Sequence, residues 1–289
     1  MNLCDRSVIW QLLDRHGFRF SKSMGQNFLI EDWVPRDIAN ASQTDAGCGV
    51  LEIGPGIGSL TQQLCLRAGK VVSVELDRRL LPILEETMAP YPQFHLIAGD
   101  VMKLDLPSLV SEQFQGLRPL LCANLPYNIT TPLLTKCVEA RCFSALTVLI
   151  QKEVAQRICA SPGTADYGAF TLLMQYYTAP ALLFTVPPSC FMPAPKVTSA
   201  VIRCPVLSEP PVAVHSEEML WRTVRAGFAL RRKTLVNSLA TAYGSQLCKG
   251  ELADSISACG LPPDIRGERL GLADYARLAD TLEQMLAAK

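Results

Sequence analysis

No two cysteines in this chain are spaced C-x-x-C, and its three histidines, His16, His95 and His215, stand far from any cysteine cluster. Structural-zinc and zinc-hydrolase spacings are therefore absent, and no metal is expected. There is also no apolar stretch long enough to span a membrane and no secretory leader. The eleven cysteines are an odd number and fall mostly inside apolar runs such as Leu121-Cys122-Ala123. They read as small buried hydrophobes in a reducing, cytoplasmic protein. Net charge is missing too: 27 basic and 27 acidic residues balance at +0, with a pI of 6.8. The molecule is no polycation, so any contact with nucleic acid must use a local patch. Neither internal repeats nor low-complexity tracts occur.

What is present is a large core: 49% of the 289 residues are hydrophobic and 19% charged, in a length that favours two domains. Strand-like runs at 50–53, 71–74, 94–98, 120–123 and 145–150 alternate with helical patterns at 59–67 and 78–88. This alternation predicts an α/β fold with a mostly parallel, doubly wound sheet and helices on both faces. A helix at 7–15 and another near 35–42 precede it, joined by an aromatic, amide-rich connector at 18–29. Beyond residue 151 the pattern loosens into helices at 152–160 and 169–177, and strands at 182–186 and 197–206. Between those strands lies a proline-stiffened segment, 187–195. A linker at 205–211 then leads to helices at 217–230, 233–243, 251–259 and 272–288. The expected domains are 1–206 and a smaller, all-helical 212–289.

In a doubly wound sheet, ligands bind beyond the carboxyl ends of the strands. Gly54, Glu75, Asp100 and Asn124 all fall there. The turn Gly54-Pro55-Gly56-Ile57-Gly58 invites a dinucleotide reading, but Ser59 stands at the third dinucleotide position and Pro55 removes a backbone N–H that a pyrophosphate would use. Glu52 adds a carboxylate where phosphate would be repelled and an ammonium or sulfonium attracted. Glu75, 21 residues after Gly54, is placed to bind ribose hydroxyls, and Asp100 to accept from an adenine amino group. The set favours S-adenosylmethionine over NAD, leaving a nicotinamide oxidoreductase as the alternative from another class.

Asn124-Leu125-Pro126-Tyr127 closes the fourth strand-like run. The Asn124 amide oxygen and the Leu125 carbonyl can accept two N–H hydrogens of a planar exocyclic amine, Pro126 stiffens the turn, and Tyr127 can stack on the ring. An Asn-Pro turn capping the next helix is the plainer alternative. Further on, Arg222, Arg225, Arg231, Arg232 and Lys233 supply five positive charges with no acid between Met219 and Tyr243. They are read as a phosphate footprint rather than a solvated helix face. Arg15, Arg19 and Lys22 form a second basic stretch.

These residues together resemble the small-subunit ribosomal RNA adenine N6,N6-dimethyltransferases, the kasugamycin-resistance dimethyladenosine transferase family. The resemblance runs almost end to end. It is carried by Gly25-Gln26-Asn27-Phe28-Leu29, the 51–61 glycine turn, Asn124-Leu125-Pro126-Tyr127-Asn128, 151–157, the 191–201 segment beginning Phe191-Met192-Pro193, 228–239 and 266–270. Met24 departs from it, since relatives carry an aromatic there. The resemblance implies a Rossmann-like class I methyltransferase sheet with an RNA-binding helical domain at 212–289. It implies S-adenosylmethionine held by Asn27, Leu29, Gly54, Gly56, Glu75, Asp100, Val101 and Asn124. Tyr127 and Phe191 would sandwich a flipped adenine. The implied partner is the 16S RNA of the small ribosomal subunit, two adjacent adenosines near its 3′ end the target, and the protein a monomer. Activity on 23S RNA or DNA adenine, or an inactive role in assembly or transcription, are the alternatives within the resemblance.

Overall fold

A computed structural model of the chain describes residues 1–21 and 25–289, so Lys22 and Met24 lie outside the described residues. The chain divides into two compact units. The first comprises 1–155 and 178–206, the second 156–177 and 207–289.

The first unit opens with α1 (Arg6–Arg15), whose N-cap Asp5 accepts the backbone N–H groups of Ser7 and Val8. Then follow β1 (Phe28–Leu29), α2 (Trp33–Ala41), β2 (Cys48–Ile53), α3 (Ser59–Cys65), β3 (Lys70–Glu75), α4 (Leu81–Met88) and β4 (Phe94–Ala98). The alternation continues through α5 (Leu106–Gln113), β5 (Arg118–Asn124), α6 (Thr130–Glu139), β6 (Ala145–Gln151) and α7 (Lys152–Ile158). After α8 (Ala169–Tyr177), which belongs to the second unit, come β7 (Ala181–Val186), β8 (Phe191–Met192) and β9 (Ser199–Pro205).

Seven strands form one sheet in the order β4-β3-β2-β5-β6-β9-β7. The first five are parallel, while β9 runs antiparallel to both of its neighbours, β6 and β7. Every residue of β2 is buried, as a central parallel strand covered on both faces requires. Its neighbours are β3 on one side and β5 on the other, so the winding reverses beside β2. That switch point opens a crevice at the carboxyl ends of β2 and β5. One apolar cluster packs Val34, Ile38, Leu60 and Leu64 with Val50 and Leu120; another joins Ile9, Leu12 and Leu13 of α1 to Ile83 and Leu84 of α4. Most of the cysteines are buried as expected, and burial pushes the Cys65 thiol up to about 12.

Two elements escaped the sequence reading. Helix α5 buries only Leu106 and Val110, too few apolar positions to show a period. The pair β1–β8, with Leu29 opposite Phe191, is two residues long and has no period at all.

The second unit gathers α8 with α9 (Glu217–Ala229), α10 (Leu235–Tyr243), α11 (Lys249–Ala258) and α12 (Leu272–Ala287). The division at 206 recurs between the two units, but the expected first domain, 1–206, needs one correction: 156–177 packs with the C-terminal helices. Tyr176 and Tyr177 lie against Trp221, at ring-centroid distances of 5.2 and 6.4 Å, and the Tyr167 hydroxyl donates to the Leu270 carbonyl at 2.8 Å. Aromatic burial on α8 draws it into this unit although its sequence position lies between β6 and β7. Among the described residues, no helix is long and apolar enough to cross a membrane.

Gly49 in β2 faces the ring of Phe114 so closely that a Cβ there would overlap it. Gly49→Ala should therefore destabilise the protein by about 1–3 kcal/mol, read as a lower denaturant midpoint at unchanged slope.

Candidate active site

The crevice at the switch point is walled by the ends of β2, β3 and β5, by the turn after β4, and by the 25–29 segment. The turn after β2 bends inward because Gly54, Gly56 and Gly58 all adopt positive φ, at 67°, 61° and 96°. A side chain at any of the three would be strained. The Gly54 amide donates to the Val74 carbonyl at 3.0 Å, which fixes the turn against β3.

Glu52 and Glu75 both line the crevice, and both are buried. The Thr61 and Ser73 hydroxyls, each at 2.7 Å, donate to one Glu52 oxygen. Glu75 accepts the Asp77 backbone N–H at 2.7 Å. Burial, with Glu75 nearby as a further charge, raises the Glu52 carboxyl to about 7. Burial, with Asp77 close by, does the same to Glu75, also to about 7. Asp100 stands at the end of β4, where one oxygen caps the next turn by accepting from Met102 N at 2.9 Å. Lys136 of α6 holds that turn through the Met102 and Leu104 carbonyls, at 2.8 and 2.6 Å. Val101, Leu29 and the exposed Leu76 supply apolar wall.

Asn124 ends β5. Its Nδ2 donates to the Asn27 carbonyl at 3.2 Å, and this sets the side-chain amide so that Oδ1 remains the acceptor. No described residue donates to that oxygen. Tyr127 lines the same crevice, and its hydroxyl shares a 2.6 Å hydrogen bond with Ser199 of β9. The bond pins the far end of the ring. Burial raises the Tyr127 hydroxyl above its ordinary value, keeping it neutral.

The crevice therefore brings together Asn27, Leu29, Gly54, Gly56, Glu75, Asp100, Val101 and the 124–127 tetrapeptide. Phe191 is the exception. It is 2% exposed, packs in the core with Val186, Cys190 and Val201, and does not line the crevice. Pairing of β8 with β1 sets it opposite Leu29, and both side chains enter the same core cluster. The basic residues also separate. Arg222 is absorbed by its own unit: it donates to the Ala242 carbonyl at 2.8 Å and to Gln246 at 3.0 Å, and lies 4.4 Å over the Tyr243 ring. Arg231 pairs with Glu268 at 3.0 Å and donates to the Ala165 carbonyl. Arg225, Arg232 and Lys233 are exposed. Thr61, Ser73 and Ser199, which hold the crevice residues in place, were not singled out from sequence, because nothing local marks a hydroxyl whose partner is strands away.

No lysine, arginine or histidine lines the crevice among the described residues, whereas three carboxyl groups do. That donor set fits S-adenosylmethionine: acceptors for a diol and an amine, negative charge for a sulfonium and ammonium, apolar wall for a purine. It suits a pyrophosphate poorly.

Comparison with known proteins agrees with this geometry. The family model described as ribosomal RNA adenine dimethylase matches residues 17–257. A protein named ribosomal RNA small subunit methyltransferase A from Alkaliphilus oremlandii is 44% identical over 277 residues, covering 96% of each chain. Its namesake from Geobacillus thermodenitrificans is 46% identical over 275 residues, covering 94% of each. Among solved structures, the 23S rRNA methyltransferase ErmE superposes with a TM-score of 0.68 at 25% identity, over 89% of this chain and 100% of its own. A dimethyladenosine transferase from Plasmodium falciparum shares the fold, with a TM-score of 0.72 at 24% identity over 86% of this chain and 95% of its own. With a family model covering most of its length and relatives this similar from end to end, the chain belongs to the ribosomal RNA adenine dimethylase family.

Proposed function

We propose that this protein dimethylates N6 of adenosines in the 16S RNA of the small ribosomal subunit, with S-adenosylmethionine as donor, in the bacterial cytoplasm. One observation carries the reading: Asn124 presents a free Oδ1 in the same acid-lined crevice as Glu75 and Asp100. Small-subunit RNA is favoured over 23S RNA because the end-to-end relatives at 44–46% identity bear the small-subunit name, against 25% for ErmE. Among the described residues no basic side chain lines the crevice, which speaks against a nicotinamide dinucleotide.

In this reading Glu75 holds the ribose hydroxyls, Asp100 the adenine amino group, and Leu76, Val101 and Leu29 the purine faces. Gly54 and Gly56 let the backbone approach the amino acid end, where Glu52 offsets positive charge. The donor supplies a methyl group already activated by its sulfonium. N6 of the target adenine is a poor nucleophile because its lone pair conjugates with the ring. A hydrogen bond to Asn124 Oδ1 pulls an N6 hydrogen out of plane and stabilises positive charge developing on N6. The Leu125 carbonyl takes the second N–H, and Tyr127 stacks on the flipped base. Phe191 acts indirectly, by packing beside Leu29 in the core rather than by touching the base. Stacking is worth about 1–3 kcal/mol per base, the same order as extrusion. Fixing donor and acceptor in line can lower the barrier by about 7–11 kcal/mol. Methyl transfer leaves S-adenosylhomocysteine, and the alkylated N6 is acidic enough to lose its proton to water, so no side-chain base is required. Neither histidine nor cysteine lines the crevice among the described residues.

RNA phosphates are assigned to the exposed Arg225, Arg232 and Lys233, with Arg231 as a partial contributor. Arg222 is assigned to packing.

Asn124→Ala should lower kcat by about 10²–10³-fold while RNA affinity stays near wild type, measured with labelled S-adenosylmethionine, unmethylated small subunits and mapping of N6,N6-dimethyladenine. Wild-type turnover by this variant would refute the acceptor role. Replacing Arg225, Arg232 and Lys233 with glutamine should reduce the slope of log affinity against log salt by about 2–3. Arg222→Gln should instead lower thermal stability and leave that slope unchanged. The two raised carboxyls give a pH signature. Each holds a proton between its ordinary 4.5 and about 7 that the unfolded chain has lost. Their contribution to stability is thus complete below about 4.5 and falls as pH rises to about 7. Donor binding favours the ionised forms, so affinity for S-adenosylhomocysteine should rise from pH 6 to pH 8 with proton release in calorimetry, and the rise should shrink in Glu75→Gln.

A further inference from the structure

Three residues outside the assigned donor contacts tie the crevice together. Asp77, 5% exposed, sits two residues beyond Glu75. Its backbone N–H donates to one Glu75 oxygen at 2.7 Å. One oxygen of its carboxylate accepts from Gln26 Nε2 at 2.8 Å and from Arg79 Nη2 at 2.6 Å; the other accepts from Arg79 Nε at 2.9 Å and Arg79 N at 3.0 Å. The Arg79 guanidinium holds this carboxyl below the usual range, so it stays charged. Arg79 also lies 5.2 Å over the Phe18 ring and donates to the Arg19 carbonyl at 3.3 Å. Gln26 in turn accepts from Ser21 N at 3.2 Å.

Gln26 precedes Asn27, whose carbonyl is the acceptor that orients Asn124. An unbroken path of hydrogen bonds and chain therefore runs Glu75–Asp77–Gln26–Asn27–Asn124. One end grips the donor's ribose and the other the target amine, on the functional reading given above. The N-terminal segment 25–29 has no helix of its own, and its strand pairing is confined to Phe28 and Leu29 opposite β8. Gln26 supplies the charge-assisted tether that holds the rest of the segment to the sheet rim.

We propose that Gln26, Asp77 and Arg79 form a latch that holds the 25–29 segment over the donor cleft, and that Gln26 and Asp77 are positioning residues coupling donor binding to the orientation of Asn124. Releasing the latch frees the segment on one side of the donor and loosens the carbonyl that sets the Asn124 amide. Both effects follow from one side chain at the crevice wall.

The test uses Gln26→Ala in the full-length protein, with S-adenosylhomocysteine as probe. Loss of a hydrogen bond to a charged group predicts about tenfold weaker binding by calorimetry, through a correspondingly faster dissociation in stopped flow. The KM for S-adenosylmethionine should rise by a similar factor. Gln26→Glu, which sets a second carboxylate against Asp77, should weaken binding further than Gln26→Ala. Amides of 25–29 should exchange hydrogen faster than wild type even with the probe bound, while the unliganded melting temperature stays at the wild-type value because Gln26 packs no core. Wild-type affinity, dissociation rate and exchange in Gln26→Ala would overturn the latch while leaving the methyltransferase reading standing. Failure of the wild-type protein to bind the probe would overturn that reading and the latch with it.

Discussion

Glu52, Glu75 and Asp100 face one crevice from the ends of adjacent strands, and no cationic side chain lines that crevice among the described residues. Like charges in a partly desolvated site repel strongly, and burial penalises each charged form further. The fold manages this with neutral donors alone. Thr61 and Ser73 hydroxyls hold Glu52, and a backbone amide holds Glu75. None of these neutralises charge, so burial pushes both carboxyls up to about 7, and a cationic ligand would favour their ionised forms. On the function proposed above, these carboxyls select the cationic donor, while Asn124 and the Leu125 carbonyl meet the charge on the target amine.

The sheet was legible because parallel strands covered on both faces are nearly continuous apolar runs, bounded sharply by the residues that protrude at their ends. Val50 to Ile53 and Leu120 to Ala123 announce themselves, and so do Gly54 and Asn124 immediately after them. What sequence could not show was anything set by a distant partner. Phe191 stands among prolines in a segment that looks irregular and exposed, yet pairing with Leu29 turns it into the core. Arg222 belongs to a run of positive charge, yet the Tyr243 ring and the Ala242 carbonyl claim it. The Gln26–Asp77 contact joins residues 51 apart, each unremarkable in its own neighbourhood. Local pattern reports which face a residue prefers; only the folded chain reports what it meets there.

The same distinction separates the two classes of arginine in the second unit. A guanidinium already bound to a carbonyl and a ring has exchanged its hydration for fixed partners and offers little to a phosphate. An exposed one keeps its hydration and its counterions, and their release is what drives association with a polyanion. Counting basic residues along a helix overstates the surface available to RNA, and the packing of each side chain corrects the count.

Because 156–177 belongs to the unit completed only by the last helices, the polypeptide cannot be dissected by one cut. A fragment stopping at 206 would carry α8 with Tyr176 and Tyr177 stripped of Trp221, an apolar surface turned to water. During synthesis, which proceeds from the amino terminus at about 5–20 residues per second, that helix emerges well before its companions. Until α9 brings Trp221, the aromatic face of α8 has nothing of its own unit to cover it.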